Sequence, residues 1–495
     1  METTGEINTD MKDNEELKKI IEEALMPAQG CTDPVSVAFA AARARQELVK
    51  RVGKSGARVA SQHGASGDRE MAGVDGTGGL EKIKITVNAN LYKNAARVTI
   101  PGTTDCGVTM AAALGYLAGD SERNLEVLSD LKDGDIDEAR KLVEAGLFEV
   151  EIDRDINRLL IDLELTAGSD TGRFDDSRSA DDYGSDTGGF DESGVDGDAG
   201  SERLRLVILD YYTSVEAVEY GDEIGEFKVL PVNAGDRKLQ PIEKYGLEDF
   251  IEFAQEIDVD ELEILKEGIA ISKRLADEGM EKSAGMAATI GAMSELDFKE
   301  CKLLQYPSLL ASAASEARMT GSSNPAMSLA GSGNQGITAF LTMIGAAEAL
   351  EKSDEELSRA LALAILISVY VKSKLGVLSA MCGAGVAAAF GASGGIVYLL
   401  GGSKKDIFQA GLNLYGVLTG IVCDGAKKGC AYKVALSSHW AVQSAVLASQ
   451  GIGLSPSEGM LADNMEDLLD NLARLNSPGM DSTDREILDI MLEKE

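Results

Sequence analysis

Histidine is nearly absent: the 495 residues include two, His63 and His439, with a single tryptophan. Two imidazoles exclude a histidine-rich zinc centre, and a two-histidine, one-carboxylate iron centre, built from one chain. Any metal therefore falls to sulfur or oxygen. Basic residues are also short, 47 Lys and Arg against 83 Asp and Glu, for a net charge of −36. That balance opposes nucleic acid backbones and anionic lipid surfaces as partners, since both need clustered cations. Cysteine is sparse as well, at positions 31, 106, 301, 382, 423 and 430, too few for a disulfide scaffold. The opening METTGEINTDMKDNEELKK has no apolar core and does not read as a secretory signal. A cytoplasmic chain with free or metal-bound thiols is expected.

One uncharged run, Leu375 to Ser403, is 29 residues long and so passes the length test for a membrane span. Its many glycines, Gly394 and Gly395 among them, argue instead for a buried pair of closely packed helices broken near those two residues.

Two segments are of low complexity. Thr166 to Arg203 holds eleven acids, three arginines and eight glycines, with a near-repeat of GSDTGRFDDS at Gly168 and GSDTGGFDES at Gly184. Residues 55–79 hold seven glycines and His63. Both have too little apolar surface to order themselves and are expected as loose inserts. Calcium binding by the Asp-Gly repeats is disfavoured, because the spacing does not match the twelve-residue calcium loop.

Alternation of apolar and polar residues predicts strands at Ile161 to Leu165 and at Leu204 to Ile208, which would place the larger insert at a hairpin tip. Further strands are expected at Lys82 to Val87, Arg97 to Ile100 and Phe148 to Ile152, with helices at Glu15 to Leu25 and Pro34 to Val52. Beyond about residue 245 the pattern is helical almost throughout, with start signals at Ser353 to Glu356, Ser455 to Glu458 and Thr483 to Glu486. The expected fold class is α+β, with a mixed domain over 1–245 and a mostly helical domain over 246–495 that carries Cys382, Cys423 and Cys430. Gly53 to Ser55 resembles the end of a phosphate-binding loop, but Leu48 stands at its first glycine and a helix precedes it.

Three features carry chemistry. Cys382, Cys423 and Cys430 lie among glycines, with Lys427, Lys428 and Lys433 nearby, and thiolates are the usual ligands of iron-sulfur clusters. Their separations match no ferredoxin run, and on spacing alone they read first as buried core cysteines. Cys31 precedes Thr32, Asp33 and Pro34, which read as a helix N-cap with Pro at the first helical position. There the macrodipole should lower the thiol pKa, making Cys31 a base or nucleophile. A fourth cluster ligand or an inert core cysteine is the alternative. The third feature is Arg318 followed by Gly331 to Gly336, where Ser332, Asn334 and Gln335 read either as an anion-binding nest at a helix start or as a plain helix-helix turn. His439, on an Ala/Val-rich helix, reads as packing ahead of catalysis.

Taken in order, GCTDP at Gly30, IPGT at Ile100, GSGNQGI at Gly331, CGAG at Cys382 and CDGAKKGC at Cys423 resemble the iron-sulfur L-cysteine desulfidases. They are similar, more distantly, to the α-chain fold of iron-sulfur L-serine dehydratases. The likeness runs from about Leu17 to Gly453 apart from the two inserts. It implies that Cys382, Cys423 and Cys430 hold a 4Fe-4S cluster and that Cys31 is the proton acceptor. The family commonly has Glu where this chain has Asp33, a change that keeps the cap chemistry. The chain ends Leu-Glu-Lys-Glu495 without the C-terminal cysteine that can occupy the fourth iron in the dehydratase relatives, so an open iron is expected. The implied activity is β-elimination of L-cysteine to hydrogen sulfide, ammonia and pyruvate, with Arg318, Ser332, Asn334 and Gln335 as substrate-binding residues. L-serine dehydration and a non-catalytic iron-sulfur protein are the alternatives. The expected partners are a small amino-acid substrate and further copies of the chain in a homo-oligomer.

Overall fold

A computed structural model describes residues 3–62, 79–168, 202–221, 240–281 and 298–494. The architecture is α+β. Helix α1 (Thr3–Ala24) leads into strand β1 (Leu25–Gln29), followed by α2 (Thr32–Gln62), β2 (Leu80–Asn88), α3 (Ala89–Ala95), α4 (Val108–Ala118), α5 (Asp133–Glu144) and β3 (Phe148–Asp153). Strands β4 (Leu160–Ala167), β5 (Glu202–Leu209) and β6 (Val215–Tyr220) complete a five-stranded sheet in the order β3-β2-β4-β5-β6. Among the described residues only β2 and β3 pair in parallel, joined through α3, α4 and α5. Leu165 stands opposite Leu204 and Ile161 opposite Ile208, so the larger low-complexity segment joins the ends of an antiparallel pair. Most of that segment, like His63 and residues 63–78, lies outside the described residues.

Alternation fixes which sheet face is inside. Ile83, Ile85, Val87, Leu163 and Leu165 are fully buried against α2 and α4, in a core that includes Val35, Phe39 and Leu114. The opposite face carries Lys82–Glu149 and Lys84–Glu151 ion pairs.

The second half is helical apart from strand β7 (Pro325–Leu329). Its helices are α6 (Leu247–Glu256), α7 (Glu263–Glu281), α8 (Phe298–Met319), α9 (Gly333–Ala349), α10 (Asp354–Leu375), α11 (Ala389–Leu399), α12 (Lys404–Leu418), α13 (Cys430–Ser449), α14 (Met465–Asn476) and α15 (Asp481–Leu492). They share a core containing Phe250, Phe340, Leu361, Phe390 and Tyr415, which Leu17, Ile20 and Ile21 of α1 also enter. Among the described residues no helix is long and apolar enough to cross a membrane.

Several expectations need correction. The uncharged run forms one helix, α11 preceded by a π-helical turn at Ala384–Ala388, and is not broken at Gly394 and Gly395. Its glycines instead allow close approach: a Cβ on Gly391 would stand 2.1 Å from the Ala364 carbonyl of α10. Leu25 opens a strand rather than closing a helix, because Pro27 disfavours helical geometry at the residue before it. Arg97 to Ile100 makes only an isolated bridge, Thr99 to Cys106, as the chain turns at Pro101. The signal at Ser353 does start α10 with a capping box. At Ser455 the chain makes a turn, with Gly459 at φ +56°, and helix α14 waits for the Asn464 cap. Thr483 lies inside α15, which begins at Asp481. Residues 53–55 continue α2, as do 55–62 of the smaller low-complexity segment.

Candidate functional site

The pairing of β1 with β7 builds the site. Gln29 lies opposite Pro325, which sets Gly30 and Cys31 beside the loop that follows α8. Gln29 Nε2 donates to the Ser323 carbonyl at 3.1 Å, and the Gly102 amide donates to the Gly321 carbonyl at 3.4 Å. The GCTDP, IPGT and Arg318 segments thus meet. Cys31, Val98 and Met319 are buried together, and Ala426 and Cys430 pack onto them.

The cysteines come from neighbouring backbones. Met381 and Val422 form a bridge, the Cys382 amide donates to the Ile421 carbonyl at 2.8 Å, and the Cys423 amide donates to the Ala380 carbonyl at 2.7 Å. Cys430 is the first residue of α13. Lys433 Nζ donates to the Val422 carbonyl at 2.8 Å and pairs with Asp424, which also pairs with Lys427. Burial and the nearby Cys423 push the Cys382 thiol up to about 12, and burial also raises Cys430.

Helix α2 starts at Thr32, not Pro34, so Cys31 itself occupies the cap, and its carbonyl accepts from the Val35 amide at 3.3 Å. The expected lowering of its pKa is reversed. Burial and the adjacent Asp33 carboxylate raise the thiol far more than a helix terminus lowers it, with Arg318 pulling the other way. The Cys31 thiol donates to Asp33 Oδ2 at 3.6 Å. Burial raises the Asp33 carboxyl to about 6, against the opposing pull of Asn94, Cys31 and Arg318.

Arg318 is 3% exposed, and its Nε has no hydrogen-bond partner, while Nη1 donates to Asn334 Oδ1 at 3.2 Å. Burial lowers its pKa, opposed by Cys31, Cys430, Asp33 and Tyr212. A buried guanidinium with an unmet donor is a ready donor to a carboxylate. Asn334 is committed inward, since Oδ1 also accepts from Ser315. The Ser332 hydroxyl caps α9 by accepting from the Gln335 amide at 3.4 Å. Gln335 has a buried, unpartnered Oε1. Arg318 and Gln335 are therefore the two of the four expected binding residues with open polar atoms. His439 is half-buried on α13 with its pKa lowered by burial, and Cys106 is exposed. The side chain of Cys301 lies outside the described residues.

Four residues at the site were not singled out from the sequence. Asn94 and Lys93 come from α3, where polar residues recur four apart in NANLYKNA. Tyr212, at the β5–β6 turn, is buried and bonds to Thr32, with Asp33 and Cys31 near enough to raise its pKa beyond the effect of burial. Lys372 is buried too, lowered to about 8 by burial while Cys423 draws it upward.

Among the described residues, no three His, Cys, Asp or Glu side chains can share one metal ion. Cys382, Cys423 and Cys430 are free thiols that feel one another's charge, with Arg318, Lys372 and Lys433 around them. A cubane cluster holds its ligand sulfurs on separate irons, wider apart than ligands of one ion, and its negative charge favours nearby cations. Thiols with cations beside them are the donor types that a cluster uses.

Residues 122–489 match the family described as serine dehydratase alpha chain. Proteins named UPF0597 protein are similar over nearly the whole chain. The one from Clostridium tetani is 31% identical over 97% of this chain and 98% of its own. That from Oleidesulfovibrio alaskensis is 34% identical over 96% and 97%, and UPF0597 protein TTE0269 of Caldanaerobacter subterraneus is 32% identical over 97% and 98%. The chain belongs to the serine dehydratase alpha chain family, a family named for a lyase.

Proposed function

We propose that this protein is an L-cysteine desulfidase, splitting L-cysteine by β-elimination to hydrogen sulfide, ammonia and pyruvate. The observation that carries the reading is the unmet Arg318 Nε buried beside Cys31 and Cys430. Cys382, Cys423 and Cys430 would hold a 4Fe-4S cluster, which when bound supplies an open iron as Lewis acid for the departing sulfur. Arg318 binds the substrate carboxylate, and Asn334 fixes the guanidinium plane from behind. Gln335 Oε1 offers an acceptor for the substrate ammonium. Cys31 takes the α-proton. It does so as a thiolate, the form that the Arg318 charge favours, and Asp33, bonded to the sulfur, positions it. Aminoacrylate released from the site then hydrolyses to ammonia and pyruvate in water. The reaction is placed in the cytoplasm, where isolated thiols stay reduced.

L-serine dehydration is the second reading, favoured by the name of the family. Anaerobic assays of the iron- and sulfide-loaded protein with both amino acids separate the two. A kcat/KM that favours L-cysteine supports the desulfidase, and one that favours L-serine replaces it with the dehydratase.

A further inference from the structure

Lys93 takes no part in the reaction above, yet its side chain is 0% exposed. Its ammonium donates to the Cys423 main-chain carbonyl at 2.6 Å and to Asp484 Oδ1 at 2.5 Å. The second oxygen of Asp484 accepts from Asn90 Nδ2 at 2.7 Å. Asn90 and Lys93 belong to α3, whereas Asp484 belongs to α15. The cysteine loop lies directly on α3: a Cβ on Gly425, at φ +90°, would stand 2.5 Å from the Lys93 carbonyl.

Helix α15 has little apolar anchorage. Leu488 is its one buried residue, and its other ion pair, Arg154–Asp489, is about half exposed at both ends. An exposed pair of that kind contributes little, whereas a carboxylate on a fully buried ammonium cannot be removed without leaving a charge unpaired.

We propose that α15 is a positioning element for the thiol site: Asp484, acting through Lys93, holds the Cys423 carbonyl and thereby sets where the Cys423 thiol points. Without Asp484, Lys93 keeps one neutral acceptor and is drawn toward water, and the loop loses its anchor. The link to catalysis rests on the cluster reading, but the geometry of the anchor does not.

The test uses the full-length chain with Asp484→Asn, and with Asp489→Asn on the same helix as control. Hydrogen-deuterium exchange over residues 423–430 should quicken about tenfold in Asp484→Asn and stay unchanged in Asp489→Asn. In protein loaded with iron and sulfide, chelator-driven iron release should quicken on the order of tenfold in the first variant alone. The double variant Lys93→Met with Asp484→Asn removes both charges, so it should fold as the parent does and still show the loosened loop. Exchange over 423–430 at the parent rate in Asp484→Asn, or equal loosening in both single variants, overturns the proposal. Failure of the parent to take up iron removes the cluster reading instead, and the exchange measurement still decides the anchor.

Discussion

The Cys423 thiol donates to Asn94 Oδ1 at 3.7 Å. The other end of that amide, Nδ2, donates to Asp33 Oδ1 at 3.3 Å. An amide has one accepting and one donating end, so Asn94 joins the cysteine loop to the helix that starts beside Cys31. One of the thiols proposed as ligands, Cys423, is thus linked through Asn94 to Asp33, the carboxylate bonded to the proposed base Cys31.

Cys31→Ser separates base from ligand. A serine hydroxyl keeps the volume and the bond to Asp33 but is a far poorer proton acceptor. Iron and sulfide content should stay at the parent level while kcat falls by about three orders of magnitude. Loss of iron in this variant would mark Cys31 as a ligand.

Asp33→Asn should trade activity for stability. The folded carboxyl titrates at about 6 against an ordinary 3.8. A raised acid holds its proton more tightly when folded, so the stability it contributes below about pH 4 is lost as pH rises through 6. The metal-free variant at pH 7 should therefore be more stable than the parent by about 1–3 kcal/mol, with a flatter stability profile between pH 4 and 7. Urea titrations at several pH values measure both. A variant that is less stable at pH 7, with the parent's slope, contradicts the assignment.

Arg318→Lys tests carboxylate binding. Lysine keeps the charge but loses the planar fork, so KM for the amino acid should rise about tenfold or more with a smaller change in kcat. Gly333→Ala approaches the same group from the other side, since its Cβ would stand 2.4 Å from Arg318 Cζ. It should raise KM while leaving α9 intact by circular dichroism. An unchanged KM in both variants removes Arg318 from the substrate.

The ligand set is tested by anaerobic reconstitution. Cys382→Ser, Cys423→Ser and Cys430→Ser should each lose most of the visible charge-transfer absorbance and bound iron, and Cys106→Ser, at an exposed thiol, should lose none. Full absorbance in Cys382→Ser shows that another group holds the cluster.

Much of the sheet is legible in the sequence, because Ile161 to Leu165 and Leu204 to Ile208 alternate cleanly and one buried face fixes their register. Strand β1 is not. It is five residues long, contains Pro27, and finds its partner only in Pro325–Leu329, far away in the chain. The thiols and Arg318 stand out as residue types in glycine-rich settings. Asn94, Lys93, Asp484 and Tyr212 do not, because a polar residue on a short helix or at a turn acquires its meaning only from what the fold brings against it. The acidity of Cys31 is not legible in the sequence for a related reason: the helix terminus is local and visible, whereas burial and the facing Asp33 carboxylate are properties of the folded site.

The most direct measurement is product analysis on anaerobically reconstituted protein given L-cysteine or L-serine. About four irons per chain are expected, with sulfide and pyruvate released from L-cysteine in equal amounts and a higher kcat/KM for L-cysteine than for L-serine. A fully loaded protein that releases no sulfide from L-cysteine would contradict the desulfidase reading.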